Sequence, residues 1–488
     1  MRTPARKRGR RAAPATLSAA LVGHVTLAAG RDGRILASFD GHSVGFGTLS
    51  TGAAARVQEL RTGLRLASLS SRRSADKEID LMVRRLARHG LLEYRLRRPR
   101  SEEDLVVIEP QVADYWPQMA KLGDTDVVVL SRFAYLRRRG NELVLESPRA
   151  GALFKICDPR IAAIVATLSS PQQVKRLRRH DGFPGIELLA LLADSRMLFK
   201  VKAGDSGLRP TEGDDSLVLW DFHDLLFHAR STEGRHANPL GAVSPYAGVI
   251  APLPAVRPGW RGQKIDLSEV SAGQSPALSP VAALLRQRHS TRDFDDARPI
   301  TLADLACFLD GTARVLAKSQ GSFDYGESGP VVEYATRPYP SAGASYELEL
   351  YLAVDNCDGL VRGFYHYDAD EHALVPLGVR AEDLDALLTG AAFAMGAPAA
   401  PQVLITIAAR FGRVSWKYSS IAYELILKDV GVVMQTLYLM AAEMALGACA
   451  IGTVNIDLFA KMTEIEFHVE GPVGQFALGR AAKAPGSD

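Results

Sequence analysis

Four cysteines in 488 residues is a low count, and Cys157, Cys307, Cys357 and Cys449 lie far apart with no CxxC pair. That excludes a disulfide scaffold and a zinc finger, and it fits unpaired thiols in a reducing, cytoplasmic compartment. Excess charge of one sign is scarce too. The net charge is +3, but Arg2, Arg6, Lys7, Arg8, Arg10 and Arg11 supply six positive charges, so the remainder sums to −3. A general polyanion binder spreads basic charge over its folded part, so no nucleic-acid partner is expected. No G-x-G-x-x-G opens a strand–helix unit, which argues against a tightly held dinucleotide. The basic start runs into a weak apolar stretch interrupted by His24, with no small-residue cleavage site after it. A disordered basic tail over residues 1–20 is expected rather than a secretion signal.

Long apolar runs are also rare. The strongest, Val430 to Val454, could span a bilayer by length, but Gln435 and Glu443 lie inside it and no second span partners them. A helix apolar on all sides suits the centre of a large domain or an obligate dimer. A buried core helix is therefore expected, with Val430–Leu446 at the core of a homodimer and no membrane partner.

What is present is a globular composition, 47% hydrophobic and 23% charged, in a chain long enough for about three domains. Two segments read as diverged copies of one plan, at 21–100 and 120–203. In the first, "HVTLAAGRDGRILASFDGHSVGFGTLS" supplies strands broken at Gly and Asp, followed by helical "GAAARVQELRTG" and the helix–strand "KEIDLMVRRLARHGLLEYRL". In the second, "DVVVLSRFAYLRRRGNELVLESP", "DPRIAAIVATLSSPQQVKRLRR" and "IELLALLADSRMLFKV" repeat the order. Each is read as a winged-helix-like domain. The Arg137–Arg139 run invites a DNA reading, but a charge run on a hairpin tip is more often a solvated face, and the folded part of the chain is slightly acidic. Residues 204–280 are read as a linker helix and an extended arm with seven prolines between Pro239 and Pro280. His223, His228 and His236 have no Cys or carboxylate pattern to complete a metal site, so packing or capping roles are expected and no metal.

The chemistry-bearing pattern begins at residue 281. "RHSTRDF" places Arg288, His289, Ser290 and Arg292 within five residues, a compact anion site of guanidinium forks, an imidazole and a hydroxyl. Further on, the small residues of "PSAGAS" (Pro340, Ser341, Ala342, Gly343) permit a planar ring to approach the backbone. "RFGRVSWKY" then carries Lys417 and Tyr418, with Arg410 and Arg413 nearby in sequence.

Taken in order, "RHSTRDF", "RPYPSAGASYELELYL", "GFYHYDADEHALVPL", the Lys-Tyr segment with its long helix, and "FALGR" resemble the FMN-dependent nitroreductase fold. Within it they are similar to the SagB-type azoline dehydrogenases of thiazole- and oxazole-containing peptide pathways. The resemblance covers about residues 210–482. It implies an α+β domain over 281–485, with a central, mainly antiparallel sheet flanked by helices and FMN as cofactor. It places the flavin phosphate at Arg288, His289, Ser290, Arg292 and Arg480, and the flavin ring against Pro340–Gly343, with Gln435 and Gly452 also on the cofactor. Lys417 and Tyr418 become the catalytic pair. The duplicated N-terminal half resembles the peptide-binding winged helices of such enzymes, which take a leader peptide as an added strand; mere scaffolding remains open. The implied activity is oxidation of peptide azolines to azoles in a homodimer, on an azoline-containing precursor peptide, with a cyclodehydratase as a possible partner. An NAD(P)H-dependent nitro or quinone reductase and a non-catalytic peptide-recruiting scaffold are the alternatives.

Overall fold

The computed structural model describes residues 14–30, 33–39, 42–71, 73–98, 103–112, 114–180, 183–201, 209–233, 244, 246–259, 261–272, 279–322 and 329–482. The basic residues Arg2–Arg11, His236 and parts of the linker and proline-rich arm lie outside them. The chain divides into two compact units, residues 1–230 with 234–237, and residues 231–233 with 238–488.

In the first unit the two copies have the same strand pairing. Thr16–Leu21 is flanked antiparallel by Leu64–Arg65 and Leu92–Arg97, and Val127–Leu130 is flanked in the same way by Gln172–Gln173 and Leu198–Val201. Between the corresponding strands each copy carries three short strands and its helices. In the first copy the principal helices are Thr51–Val57 and Ser74–Arg88; in the second they are Pro159–Thr167 and Ile186–Asp194.

The copies are not separate bodies. Strand Asp104–Pro110, in the stretch expected to divide them, pairs with Leu92–Arg97 on one side and Ala152–Ile156 on the other. It joins the first copy to the hairpin strands of the second in one seven-stranded sheet. Leu64, Ala19, Tyr94, Ile108, Phe154 and Leu145 follow each other across six of those strands, each paired with the next. All six are fully buried. Such a row of cross-strand partners sets the register, because a slip by one residue would turn every one of them to the opposite face.

Two expectations are corrected. The tail expected over 1–20 contains a strand from Thr16, because Ser18, Ala19 and Ala20, too small to mark an apolar run, are enclosed by strands on both sides. In the arginine run Arg138 is exposed, whereas Arg137 and Arg139 are paired rather than free. Arg137 meets Glu146 at 2.6 Å, and Arg139 places two nitrogens on Glu109 and one on Glu142 at 2.7–2.8 Å.

The second unit is built on a six-stranded sheet, ordered Ala373–Leu377, Gly363–Asp368, Leu348–Val354, Val403–Arg410, Glu470–Gly479 and Gly447–Ile451. Every neighbouring pair is antiparallel, as expected. The central "VLITIAAR" strand is buried at every position but the last, which an apolar, β-branched run needs when both sheet faces are covered. Helices Ala381–Met395 and Ile456–Thr463 pack with Tyr351, Ala353, Leu404, Cys449 and Ala477 on one face. On the other lies helix Ala422–Glu443. It approaches so closely that a β-carbon at Gly474 would collide with Met434 and Val430.

This is the helix expected to be buried all round. It starts before the apolar run, at Ala422, and ends at Glu443, and the rest of the run includes the edge strand Gly447–Ile451. It is long and apolar enough to cross a membrane by length and composition, yet only one side packs. Tyr423, Ile426, Asp429, Val430, Val433, Leu437, Tyr438 and Ala441 are buried, whereas Glu424, Lys428, Gly431, Gln435 and Glu443 are exposed at helical spacing. The hydropathy of the run hid this two-sidedness, because small and apolar residues also occupy the open face.

Phe154→Ala removes a ring from the centre of the continuous row and should destabilise the first unit by about 3–5 kcal/mol. In denaturant both copies are expected to melt together in one earlier transition. Independent melting of the two copies would contradict the shared sheet.

Candidate active site

The segment from Pro340 to Tyr346 turns the chain into strand Leu348–Val354 through three left-handed residues, Gly343 (φ 57°), Ala344 (φ 53°) and Tyr346 (φ 45°). Two of these are not glycine; each costs on the order of 1–3 kcal/mol and persists only where its surroundings over-determine it. Here they do. The amide of Tyr346 donates to Ser341 Oγ at 3.0 Å, and the amide of Ala342 donates to Asp429 Oδ2 at 2.8 Å. Arg413 holds the Ser345 carbonyl with two guanidinium nitrogens at 2.9 and 3.1 Å. Ser341 Oγ also lies 3.0 Å from Asp429 Oδ2 and 3.2 Å from Glu347 Oε2.

Lys417 and Tyr418 reach this loop from the other side. Strand Val403–Arg410 runs into the short helix Gly412–Ser415, and the amides of Lys417 and Tyr418 both donate to the Val414 carbonyl. That turn points Lys417 Nζ at the Gly343 carbonyl, 3.2 Å away, with the Tyr418 ring centre at 5.6 Å. A β-carbon at Gly343 would press on Tyr418 Oη and lie 2.7 Å from Lys417 Nζ. The glycine is needed both for its φ and for this close approach.

The loop and the lysine open into a cavity of about 590 Å3 lined by Gly343, Arg410, Arg413, Trp416, Lys417 and Glu470 among others. Arg410 and Arg413 therefore share the cavity with Lys417, as their sequence proximity suggested. Arg413 is held by the Ser345 carbonyl, and Arg410 lies 3.6 Å from Glu349. Two adjoining cavities of about 520 and 710 Å3 share Arg410 with the first and extend it past Arg337 and Glu349. Glu470 accepts a hydrogen bond from Tyr351 Oη at 2.6 Å, and burial pushes its carboxyl upward.

The basic cluster sits farther along the same helix. Ser290 Oγ and Tyr438 Oη are 2.8 Å apart, and the Arg288 guanidinium lies 5.1 Å from the Tyr438 ring centre. Arg288, His289, Thr291 and Tyr438 line a cavity of about 240 Å3 floored by Ala441, Ala445 and Ala448. Arg292 is exposed, does not line this cavity, and acts electrostatically on the buried Cys449 thiol. Arg480 is placed differently. Its guanidinium is ion-paired to Asp304 at 2.6 Å, beside the capping box that Thr301 and Asp304 form at the start of helix Leu302–Ala313. It does not line the cavity of Arg288 and His289. Gln435 lies on the open side of the long helix, and Gly452 is exposed with nothing within 4 Å of a β-carbon built on it.

Sequence reasoning missed Asp429, Glu347, Tyr438 and Glu470. Asp429 had a signal, an acid directly before the apolar run that is nonetheless buried. Glu347 had none, since "ELELYL" reads as an alternating strand. Of the histidines, His228 is fully buried and stacked on Trp220 at 5.9 Å, and His223 bonds Asp221. Among the described residues no three His, Cys, Asp or Glu side chains cluster as metal ligands.

Residues 285–480 match the family model described as the nitroreductase family, and residues 128–237 match the one described as the cyanobactin oxidase ThcOx. A Methanocaldococcus jannaschii protein described as a nitroreductase is 28% identical over 197 residues, 40% of this chain and 89% of that protein. Among solved structures, a nitroreductase from Ralstonia eutropha is similar over 43% of this chain and 88% of its own, with 22% identity and a TM-score of 0.31. The Escherichia coli microcin synthetase McbBCD complex with truncated pro-MccB17 bound is similar over 57% of this chain and 100% of the matched chain, with 19% identity and a TM-score of 0.39. The C-terminal half thus has a nitroreductase-like fold, preceded by a mostly stranded N-terminal half that carries the cyanobactin-oxidase match. The two family matches mark the chain as an oxidoreductase.

Gly343→Ala should displace Lys417 and Tyr418 and lower stability by about 1–3 kcal/mol through the left-handed φ alone. The shift in denaturation midpoint checks this, and an unchanged midpoint would show that the loop and the pair are not in contact.

Proposed function

We propose that this chain oxidises azoline rings of a ribosomally synthesised peptide to thiazoles or oxazoles, with FMN as cofactor. The observation that carries the reading is Lys417, with Tyr418, seated on the carbonyl of the Ser341–Gly343 loop at the mouth of a cavity. The basic cluster is fixed to the same helix. From Asp429 under the loop to Tyr438 beside Ser290 is nine residues, about 13 Å at 1.5 Å per residue. That separation suits an elongated ligand with a planar ring at one end and a phosphate at the other.

The donor set fits FMN. Arg288, His289, Ser290 and Arg292 would take the phosphate, and the small residues Ser341, Ala342 and Gly343 would take the ring. Arg480 contributes through the position it gives the strand end rather than as a free guanidinium, given its bond to Asp304. When bound, FMN supplies the acceptor for a two-electron oxidation. Making an azole from an azoline removes two hydrogens, one as a proton from the former α-carbon of the residue and one with the electron pair. Lys417 Nζ takes the proton, held in place by the Gly343 carbonyl. Tyr418 orients the ring beside it, and Arg410 with Glu470 borders the path along which the flanking peptide lies.

The exposed stripe of Gly431 and Gln435, together with open Gly452, is where we place a second copy, so that Gln435 and Gly452 complete the cofactor site in a cytoplasmic homodimer. The N-terminal unit recruits the precursor peptide by its leader, alone or with a cyclodehydratase. The match of the second copy to the cyanobactin oxidase model supports that assignment. A reductase working on nitro or quinone substrates has no use for a peptide-recruiting half, which is why it ranks second.

The purified protein should show a visible flavin spectrum that is released on denaturation. Lys417→Ala should retain the flavin yet form no azole, read as loss of the two-hydrogen mass decrease on an azoline peptide. Arg288→Ala should weaken FMN binding roughly 10- to 100-fold, the effect of one charge-assisted hydrogen bond of about 1.5–3 kcal/mol. A colourless protein that does not take up FMN would overturn the assignment.

A further inference from the structure

Beneath the loop lies a pair of acids that the proposed chemistry does not use. Glu347 is 0% exposed and Asp429 is 7% exposed. The two carboxyls converge on the hydroxyl of Ser341, Glu347 Oε2 at 3.2 Å and Asp429 Oδ2 at 3.0 Å. A proton count settles how this can be. Ser341 has one hydroxyl hydrogen, and its oxygen already accepts the amide of Tyr346. It can donate to one carboxyl only, so the other must bring a hydrogen of its own. Asp429 Oδ2 has a further donor in the amide of Ala342, whereas Glu347 Oε1 is buried with no hydrogen-bond partner. An ionised Glu347 would leave that oxygen charged and unsolvated, next to a second carboxylate.

We propose that Glu347 and Asp429 share a single proton and act as a positioning pair for Lys417, holding the Ser341–Tyr346 loop so that the Gly343 carbonyl stands beneath Nζ. The proton resides on Glu347 and Asp429 is the anion, fixed by Ala342 and Ser341. Loss of the shared proton sets two adjacent anions under the loop, releases Ser341 and Ala342, and with them the lysine. This deepens the reading of the site given above, though its first test is independent of flavin and turnover.

The groups around Glu347 agree. Asp429, from the long helix, is the charge that faces it. Tyr339, on the approach to the loop, is close enough to feel it. Arg410, on the neighbouring strand, meets it through a backbone amide donating to the Glu347 carbonyl at 2.9 Å. Burial, with the charge of Asp429 behind it, outweighs the opposing hydrogen bonds from Glu347's own amide and from Ser341 and pushes the Glu347 carboxyl up to about 7 from the ordinary 4.5. An acid raised on folding stabilises the fold fully below its unfolded value and loses that contribution as pH rises through the folded one. The window is therefore about pH 4.5 to 7, with stability falling as pH rises.

The test compares thermal midpoints of the full-length parent, Glu347→Gln and Asp429→Asn from pH 5 to 8.5. The glutamine imitates the protonated acid and cannot ionise. Its midpoint should match the parent near pH 5 and exceed it by on the order of 5–10 °C above pH 7.5. Asp429→Asn removes the opposing charge and should shift the parent's fall to lower pH. Amide hydrogen exchange across residues 338–348 at pH 8 should be slower in Glu347→Gln than in the parent. The infrared band of a protonated carboxylic acid should titrate near pH 7 in the parent and be missing in Glu347→Gln. Parallel midpoint curves for parent and Glu347→Gln, or an infrared band unaffected by that change, would overturn the shared proton. If Glu347→Gln fails to fold, a titration unmoved in Asp429→Asn would do the same. A protein without flavin would defeat the proposed function and leave these readings intact.

Discussion

The second unit is organised around the Asp429 carboxylate, an acid on the packed side of the long helix among mainly apolar side chains. A charge in such a place is costly unless hydrogen-bonded, and the amide of Ala342 and the hydroxyl of Ser341 donate to it. Satisfying it therefore brings a loop from 87 residues away onto the helix. The loop can then hold two non-glycine residues in left-handed conformation and offer the Gly343 carbonyl to Lys417. Nine residues on, Tyr438 does the same for the basic cluster through Ser290 and also accepts the amide of Ala450. One helix thus sets the distance between the two ends of the site. Its contact with the sheet through Gly474 makes that distance rigid.

The first unit follows a different rule. Its duplicated plan could have produced two independent bodies, each with a three-stranded sheet. Instead Asp104–Pro110 continues the sheet from one copy into the other, and six buried side chains form a single row across it. Arg137 and Arg139 of the hairpin are ion-paired to Glu146 and to Glu109 and Glu142, while Arg138 is exposed.

Much of the site was legible. "RHSTRDF", "PSAG" and "WKY" each carry residue types whose chemistry is local: forked donors, small residues, a lysine beside a phenol. The roles proposed for them come from their order along the chain and the family resemblance that order carries. The mainly antiparallel sheet was expected from the resemblance that those ordered motifs carry to the nitroreductase fold, not from the pattern of any one strand. The one-sided packing of the long helix was not legible, because apolar residues occupy its open face as well. Arg480 looked like another phosphate ligand until the fold put Asp304 next to it, 176 residues away in sequence. Glu347 looked like one polar position of a strand.

The sequence by itself determined the two-part composition of the chain, the repeated plan of its first half, the mainly antiparallel fold of its second half, and the residue types that meet at the site. Only the tertiary structure decided that the repeats share one sheet, that Arg480 is bound to a carboxylate, and that two acids lie together beneath the loop. The physical reason is range. Side-chain chemistry and hydropathy period act within a few residues and can be read in order along the chain. Burial, ion pairing and the sharing of a proton depend on neighbours 80 to 180 residues apart, and those exist only once the sheet and helix have closed around them.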